Sequence, residues 1–81
     1  MMFTIRINVM PLKELLDPQG KAVAGGLERL GIAQVREVRI GKRMILKIEA
    51  SGPQEARQIA EQACSRLLAN PVMEYFEIEL D

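Results

Sequence analysis

The alternation of strand-like and helix-like segments along the chain constrains its fold more than any other feature of the sequence. Residues 3–10 (FTIRINVM) alternate apolar and polar side chains with a period of two, which is typical of a half-buried β-strand. Residues 35–40 (VREVRI), 43–50 (RMILKIEA) and 72–80 (VMEYFEIEL) predict three further strands. The tight turn Gly41-Lys42 between the second and third segments predicts a hairpin.

Two segments with helical spacing separate these strands. Asp17 followed by Pro18 predicts the start of the first helix, because Asp is a favourable N-cap and Pro suits the first helical position. Gly31 is the expected left-handed residue at its end. Residues 51–54 predict the start of the second helix, which ends at residues 70–71. The apolar face of the first helix consists of three residues: Val23, Leu27 and Leu30.

The element order is therefore βαββαβ. A chain of 81 residues buries only about 60–65% of its unfolded surface, which leaves room for one hydrophobic core and predicts a single domain over residues 1–81. Both helices join strands that need a crossover connection. We predict an α+β, ferredoxin-like (split-βαβ) fold, in which an antiparallel sheet of spatial order 4-1-3-2 carries both helices on one face.

The second face of the predicted sheet holds apolar residues although no helix covers it. They stand among charged side chains in the phase opposite to the core, and they are Met10, Val35, Ile45, Met73 and Tyr75. Scattered apolar residues are common on protein surfaces, but an apolar patch on a bare sheet face also indicates an interaction surface. We therefore predict a homodimer, or a higher oligomer, that associates through the sheet.

Opposite charges mark the two edges of the predicted sheet. Residues 36–47 hold five basic residues and one acidic residue, a net charge of +4, whereas residues 72–81 hold four acidic residues and a net charge of −4. Edge charges deter unwanted strand pairing, and they also steer a complementary second copy or another subunit into place. The sequence leaves both interpretations open.

The composition argues against several functional classes. The chain contains no His and a single cysteine, Cys64, so it has no His base, no Cys–His pair and no internal disulfide. Its net charge of zero and its three aromatic residues argue against nucleic-acid binding. No segment resembles a membrane span or a signal peptide, so we expect a cytoplasmic protein that binds no membrane. We also expect no active site, cofactor or metal ion in this chain itself.

Three segments in combination are specific enough to indicate a family. They are LKELLDPQG at residues 12–20, VREVRIGK at residues 35–42 and LLANPVMEYFEIE at residues 67–79. With these segments, its length and its element order, the chain resembles the PurS-type small subunit of phosphoribosylformylglycinamidine synthase over essentially its whole length.

The resemblance implies a role in purine biosynthesis. The enzyme complex of that family converts formylglycinamide ribonucleotide, glutamine and ATP to formylglycinamidine ribonucleotide, glutamate, ADP and phosphate. A glutaminase subunit releases ammonia, and a large synthetase subunit uses ATP and Mg²⁺ to accept it. The small subunit of this ligase has no active site, forms dimers, joins the other two subunits and helps ammonia to pass between them.

The resemblance also selects candidate contacts with the partner subunits. These positions carry the family pattern at turns and helix ends, and they are Asp17, Gln19, Gly20, Arg39, Lys42 and Asn70. From the residues alone, Asp17 is expected to be a helix N-cap rather than a catalytic base. The charges of Arg39 and Lys42 are expected to be solvated.

Three other classes share the βαββαβ order. The main alternative is an ACT-type dimeric domain that senses a small molecule, although its Gly-containing turn after the first strand is missing here. An RNA-recognition module would need paired strand aromatics, which this chain lacks. An acylphosphatase-like enzyme would need an Arg and an Asn in the loop over residues 10–16, and neither is present.

Overall fold

The structure, a computed structural model, describes residues 1–80. Its elements follow the chain in this order: β1 (Met2–Pro11), α1 (Pro18–Arg29), β2 (Lys42–Glu49), α2 (Pro53–Ala63), a π-helical turn (Cys64–Leu68) and β3 (Glu74–Leu80).

The three strands form one antiparallel sheet in the order β2-β1-β3. The register places Ile7 of β1 between Met44 of β2 and Ile78 of β3, so apolar side chains of all three strands share one face. Ile5, Ile7 and Val9 of the central strand are fully buried on that face. The central strand therefore forms the middle of the hydrophobic core.

α2 covers this face of the sheet through small side chains. Ala56, Ala60 and Cys64 are fully buried against the strands. The π-helical turn continues α2, and in it the Ala69 N–H donates to the Cys64 carbonyl at 3.0 Å. This turn returns Ala69 to the core and leaves Leu67 exposed.

The α+β class, the antiparallel sheet and the start of α1 are confirmed. The strands β1, β2 and β3 correspond to the first, third and fourth predicted strands and are neighbours in the predicted order. Asp17 is the N-cap of α1, where its carboxylate accepts a hydrogen bond from the Gly20 N–H at 3.0 Å. Gly31 has a φ of 87°, the left-handed conformation expected after a helix.

Residues 35–40 differ from the prediction, because within residues 1–80 they form neither a strand nor a hairpin with β2. The segment lies instead against the start of α1. The Ile40 N–H donates to Asp17 Oδ2 at 2.9 Å, and the Arg39 guanidinium donates to the Pro11 carbonyl. These contacts hold residues 39–40 beside the loop before α1, so the outer edge of β2 has no neighbouring strand.

α1 and the segment that follows it extend away from the sheet, and we call residues 18–40 the arm. α2 contacts all three strands, whereas α1 has only marginal contact with them. The prediction placed both helices on one face, but within residues 1–80 α2 is the helix that covers that face. The molecule measures 51 × 24 × 14 Å and its radius of gyration is 16.2 Å, compared with about 12 Å for a compact domain of this length.

We expect Gly20→Ala to destabilise the protein although Ala is the better helix former. A Cβ at Gly20 would overlap the backbone carbonyl of Val38, which cannot move aside like a side chain. Overpacking of this kind costs about 1–3 kcal/mol. Gly25→Ala is the matched control, since its nearest foreign heavy atom, Arg29 Nη1, would lie 3.7 Å from the new Cβ. This control should gain up to about 1 kcal/mol from helix propensity.

Urea denaturation of the wild type and both variants at equal protein concentration measures the change in the free energy of unfolding for each substitution. If Gly20→Ala is as stable as the wild type or more stable, Gly20 and the Val38 carbonyl are not in close contact.

Candidate functional site

A cleft of about 400 Å³ lies where β1 ends and β3 begins. Its walls come from the loop over residues 11–19, from Ile40 and from residues 70–74. The Leu12 N–H donates to the Met73 carbonyl at 2.9 Å and ties the first and last of these segments together. More of the lining residues are apolar than polar, and a concave surface of this composition is typical of a binding site.

The Asp17 carboxylate fixes one wall of the cleft. Its Oδ1 accepts a hydrogen bond from the Gly20 N–H at 3.0 Å, and its Oδ2 accepts one from the Ile40 N–H at 2.9 Å. These bonds, with a smaller effect from the charge of Arg39, hold the pKa of Asp17 below its ordinary value of 3.8. Because both oxygens are engaged with the backbone, the carboxylate acts as a structural cap and is not placed to act as a general base.

A second carboxylate, Glu74, organises the opposite wall. Its Oε1 accepts a hydrogen bond from the Asn70 N–H at 2.8 Å, and its Oε2 lies 3.6 Å from Lys42 Nζ. Asn70 Oδ1 in turn accepts a bond from the Val72 N–H at 3.1 Å. Glu74 is not among the predicted contact residues, and Lys42 is paired with it rather than simply solvated.

The predicted partner-contact residues gather at this end of the molecule, although they lie far apart in the sequence. Arg39 and Lys42 contact residues that line the cleft. Gly20 is buried, so it can position the others but cannot itself reach a partner. The remaining three line the cleft directly: Asp17, Gln19 and Asn70. Their contact with another protein stays a prediction.

The predicted self-association residues do not form one surface. Met10, Ile45 and Tyr75 lie on the bare face of the sheet, where Met10 and Tyr75 are partners in register. Met73 lies in the turn before β3 and lines the cleft. Val35 lies on the arm, because residues 35–40 are not part of the sheet.

A polar ladder of Asn8, Arg43 and Glu79 also crosses the bare face. Arg43 Nη1 donates to Asn8 Oδ1 at 2.7 Å, and Asn8 Nδ2 donates to Glu79 Oε2 at 2.6 Å. Arg43 lies 3.4 Å from Glu79, and its hydrogen bond is the main cause that lowers the pKa of Glu79. The basic edge strand β2 and the acidic edge strand β3 therefore pair across β1 within one chain.

The described residues 1–80 offer little chemistry beyond binding. Among them, no group of three His, Cys, Asp or Glu side chains is arranged to hold a metal ion. No helix in this part of the chain is long and apolar enough to cross a membrane. Burial raises the pKa of the Cys64 thiol, which keeps it protonated and makes it a poor nucleophile.

Comparison with known proteins gives matches along the whole chain. Residues 4–81 match the family model PurS, described as phosphoribosylformylglycinamidine (FGAM) synthase. The PurS subunit of phosphoribosylformylglycinamidine synthase from Synechocystis sp. is 43% identical over 75 residues, which cover 93% of this chain and 75% of that protein. The corresponding subunit from Bacillus subtilis is 36% identical over 80 residues, which cover 99% and 94% of the two chains.

Solved structures agree with these sequence matches. A chain in the structure of PurLQS from Thermotoga maritima superimposes with a TM-score of 0.92 at 31% identity and covers 100% of this chain and 99% of that chain. A crystal form of Bacillus subtilis PurS gives a TM-score of 0.88 at 34% identity, with 98% of each chain covered.

We expect the contribution of Asp17 to stability to depend on pH. Asp17→Ala removes both backbone hydrogen bonds and should lower the Tm at pH 7. Asp17→Asn keeps an acceptor for Gly20 but loses the one for Ile40, and it should lie between the wild type and Asp17→Ala. Because the pKa of Asp17 is lower in the folded chain than in the unfolded chain, its contribution is present above about pH 4 and is lost as the pH falls through the folded pKa.

Thermal melts at pH 7 and below pH 3 test this prediction. The Tm difference between wild type and Asp17→Ala should shrink at the lower pH. Glu14→Ala, which removes an exposed acid from the same loop, is the control and should show no such difference. An Asp17 effect of the same size at both pH values would contradict the assigned role of the carboxylate.

Proposed function

This chain belongs to the PurS family of phosphoribosylformylglycinamidine synthase, and we propose that it is the non-catalytic small subunit of that complex. In this role it bridges the glutaminase and synthetase subunits as a homodimer and assists the transfer of ammonia between them. The complex uses ATP and Mg²⁺ on its other subunits to convert formylglycinamide ribonucleotide and glutamine to formylglycinamidine ribonucleotide in the cytoplasm.

The observation that carries this proposal is the match with a chain of PurLQS from Thermotoga maritima, which extends over 100% of this chain and 99% of that one. The match therefore extends over essentially the full length of both chains and does not rest on one shared segment. The matches with other PurS subunits point the same way and do not favour the ACT-type ligand-sensing alternative.

The geometry of the chain supports a bridging role rather than a chemical one. The carboxylates beside the cleft are engaged in backbone hydrogen bonds and an ion pair, and the one thiol is buried. The cleft lies at the base of the arm, and the exposed apolar side chains Val23, Leu30 and Val35 of the arm lie outside the cleft lining, so one chain can contact more than one neighbour at once. Holding two active sites in a fixed relation accelerates their coupled reaction through positioning alone.

The need for such positioning follows from the properties of ammonia. An uncharged ammonia molecule that reaches bulk water is protonated and diluted before it can attack the activated amide. A closed and correctly oriented path between the two active sites prevents both losses. A subunit that completes this path matters when glutamine is the nitrogen donor and is dispensable when ammonia is abundant.

The cleft is the surface that we assign to a partner subunit. Gln19 lies at its rim in the second position of α1, directly after Pro18. Gln54 occupies the same position of α2, directly after Pro53, but lies away from the cleft. The two glutamines therefore share the second position of a helix, directly after a proline, and differ in their surroundings.

We expect Gln19→Lys to weaken assembly and Gln54→Lys to leave it unchanged. A charge introduced into a contact that excludes water costs enough to weaken binding by about tenfold or more. Glutamine-dependent product formation, titrated with each variant, measures the subunit concentration that gives half of the maximal rate. Equal values for the two variants would remove the cleft from the partner surface.

We also expect that the presence of this subunit affects the rate of synthesis only when glutamine is the nitrogen donor. A reconstituted system that lacks this chain should lose most of its glutamine-dependent rate, and ammonium at high concentration should restore most of the turnover of the large subunit. The control is the ammonium-dependent rate in the presence of this chain, which should not change. A glutamine-dependent rate that is the same with and without the chain would rule out the bridging role.

A further inference from the structure

The outer edge of β3 is open and has a form that another strand can join. Within residues 1–80, β3 lies at the end of the sheet and pairs only with β1. The pairing runs without a bulge from Glu74 to Leu80, and the strand holds no proline, lysine or arginine. Bulges, prolines, lysines and a very short length are features that protect natural edge strands from pairing. About half of the backbone N–H and C=O groups of β3 point outward and can bond to a further strand.

A groove of about 300 Å³ lies beside this edge, between β3 and the end of α2. Its lining comes from the π-helical turn, from residues 69–71 and from residues 74–76. No residue of β1 or β2 lines it, so the groove lies on the outer side of β3. Cys64 and Ala69 in its lining are buried, and Phe76 is partly buried. A side chain that projects from an added strand toward the helical face would enter this groove.

The apolar side chains of β3 are incompletely covered. Phe76, Ile78 and Leu80 pack against the core on the helical face, but each stays only partly buried. On the same face, the apolar side chains of the central strand are fully buried. Because side chains alternate between the two faces of a strand, an added strand with an apolar residue at every second position would complete the burial of this edge.

The charges of β3 determine which kind of strand can join it. All charged residues of β3 are acidic. On the bare face, Glu79 is engaged by Asn8 and Arg43 of its own chain, whereas Glu77 is exposed. Like charges that stand opposite each other destabilise a sheet, and opposite charges stabilise it. The edge therefore disfavours a second copy of β3 and favours a strand with basic residues on the bare face.

We propose that β3 accepts, as a fourth strand, an extended segment of another subunit in which basic residues alternate with apolar ones. The apolar side chains enter the groove beside Cys64 and Ala69, and a basic side chain lies next to Glu77. In this mode of recognition the backbone hydrogen bonds supply affinity and the alternate side chains supply specificity. The inference rests on the assembly in the proposed function and adds a contact that is continuous with the cleft, since Glu74 lines both.

Amide hydrogen exchange, resolved to single residues, tests the added strand. In the chain alone, the amides of β3 that bond to β1 should exchange slowly, and the alternate, outward amides should exchange fast. In the complex with the glutaminase and synthetase subunits, the outward amides between Tyr75 and Leu80 should slow by about tenfold or more, because a hydrogen-bonded amide exchanges only after local opening. A partner that covers only the bare face would leave the outward amides fast.

A matched pair of glutamates tests the role of charge. Glu77 of β3 and Glu49 of β2 are both exposed on the bare face, at opposite edges of the sheet. Glu77→Lys should raise the subunit concentration that gives half of the maximal glutamine-dependent rate by about fivefold, because it replaces an attractive cross-strand pair with a repulsive one. Glu77→Gln should have a smaller effect in the same direction, and Glu49→Lys should leave the value unchanged.

Two results would overturn the added strand. Outward amides of β3 that exchange equally fast in the chain and in the complex would show that no strand joins this edge. Equal effects of Glu77→Lys and Glu49→Lys would show that the acidic edge does not recognise the partner. Both results leave the bridging role intact while the glutamine-dependent rate still requires this chain. Loss of that requirement would overturn the bridging role and the added strand together.

Discussion

The two hydrogen bonds that Asp17 accepts from the backbone hold the functional end of this molecule together. One bond starts α1 at Gly20, and the other fixes Ile40, which lies more than twenty residues further along the chain. Without them, the loop after β1, the start of the arm and the approach to β2 would have no common anchor. The close contact of residue 20 with the Val38 carbonyl requires glycine, because the Cβ of any other residue would occupy the same space as that carbonyl.

The parts of the fold that depend on local pattern could be predicted, and the parts that depend on distant partners could not. Alternation in residues 3–10 predicts β1, and the Asp17-Pro18 pair predicts the start of α1, since both signals are read from neighbouring residues. The alternation in residues 35–40 indicates correctly that Val38 and Ile40 are partly buried. It does not indicate which residues bury them. Their actual neighbours are the start of α1 and the end of β1, and no spacing in the sequence encodes that choice.

The residues of the candidate site also divide into those that the sequence points to and those that only the tertiary structure reveals. The convergence of residues such as Gln19 and Asn70 at one cleft is suggested by family resemblance alone, because no periodicity links the two segments. Glu74, which organises one wall, is not among the predicted contacts, and the ladder through Asn8 requires the cross-strand register of β1 with both neighbours. A protein without a catalytic group performs its role through such surfaces, so its functional residues are those whose placement depends on tertiary structure.

The π-helical turn at the end of α2 has a further consequence for how the sequence of this subunit can vary in length. An α-helix advances about 100° per residue, and a π-helical turn takes up one additional residue by widening, so the residues after it keep their helical phase. Here the wider turn brings Leu68 and Ala69 round to the core and leaves Leu67 in solvent. Deletion of the exposed Leu67 would place Leu68 and Ala69 three and four residues after Cys64, which in an ordinary α-helix lie at about −60° and +40° from it and therefore still face the sheet. The end of α2 therefore tolerates the loss of one residue in this turn, because the wider turn holds one residue more than an ordinary helical turn.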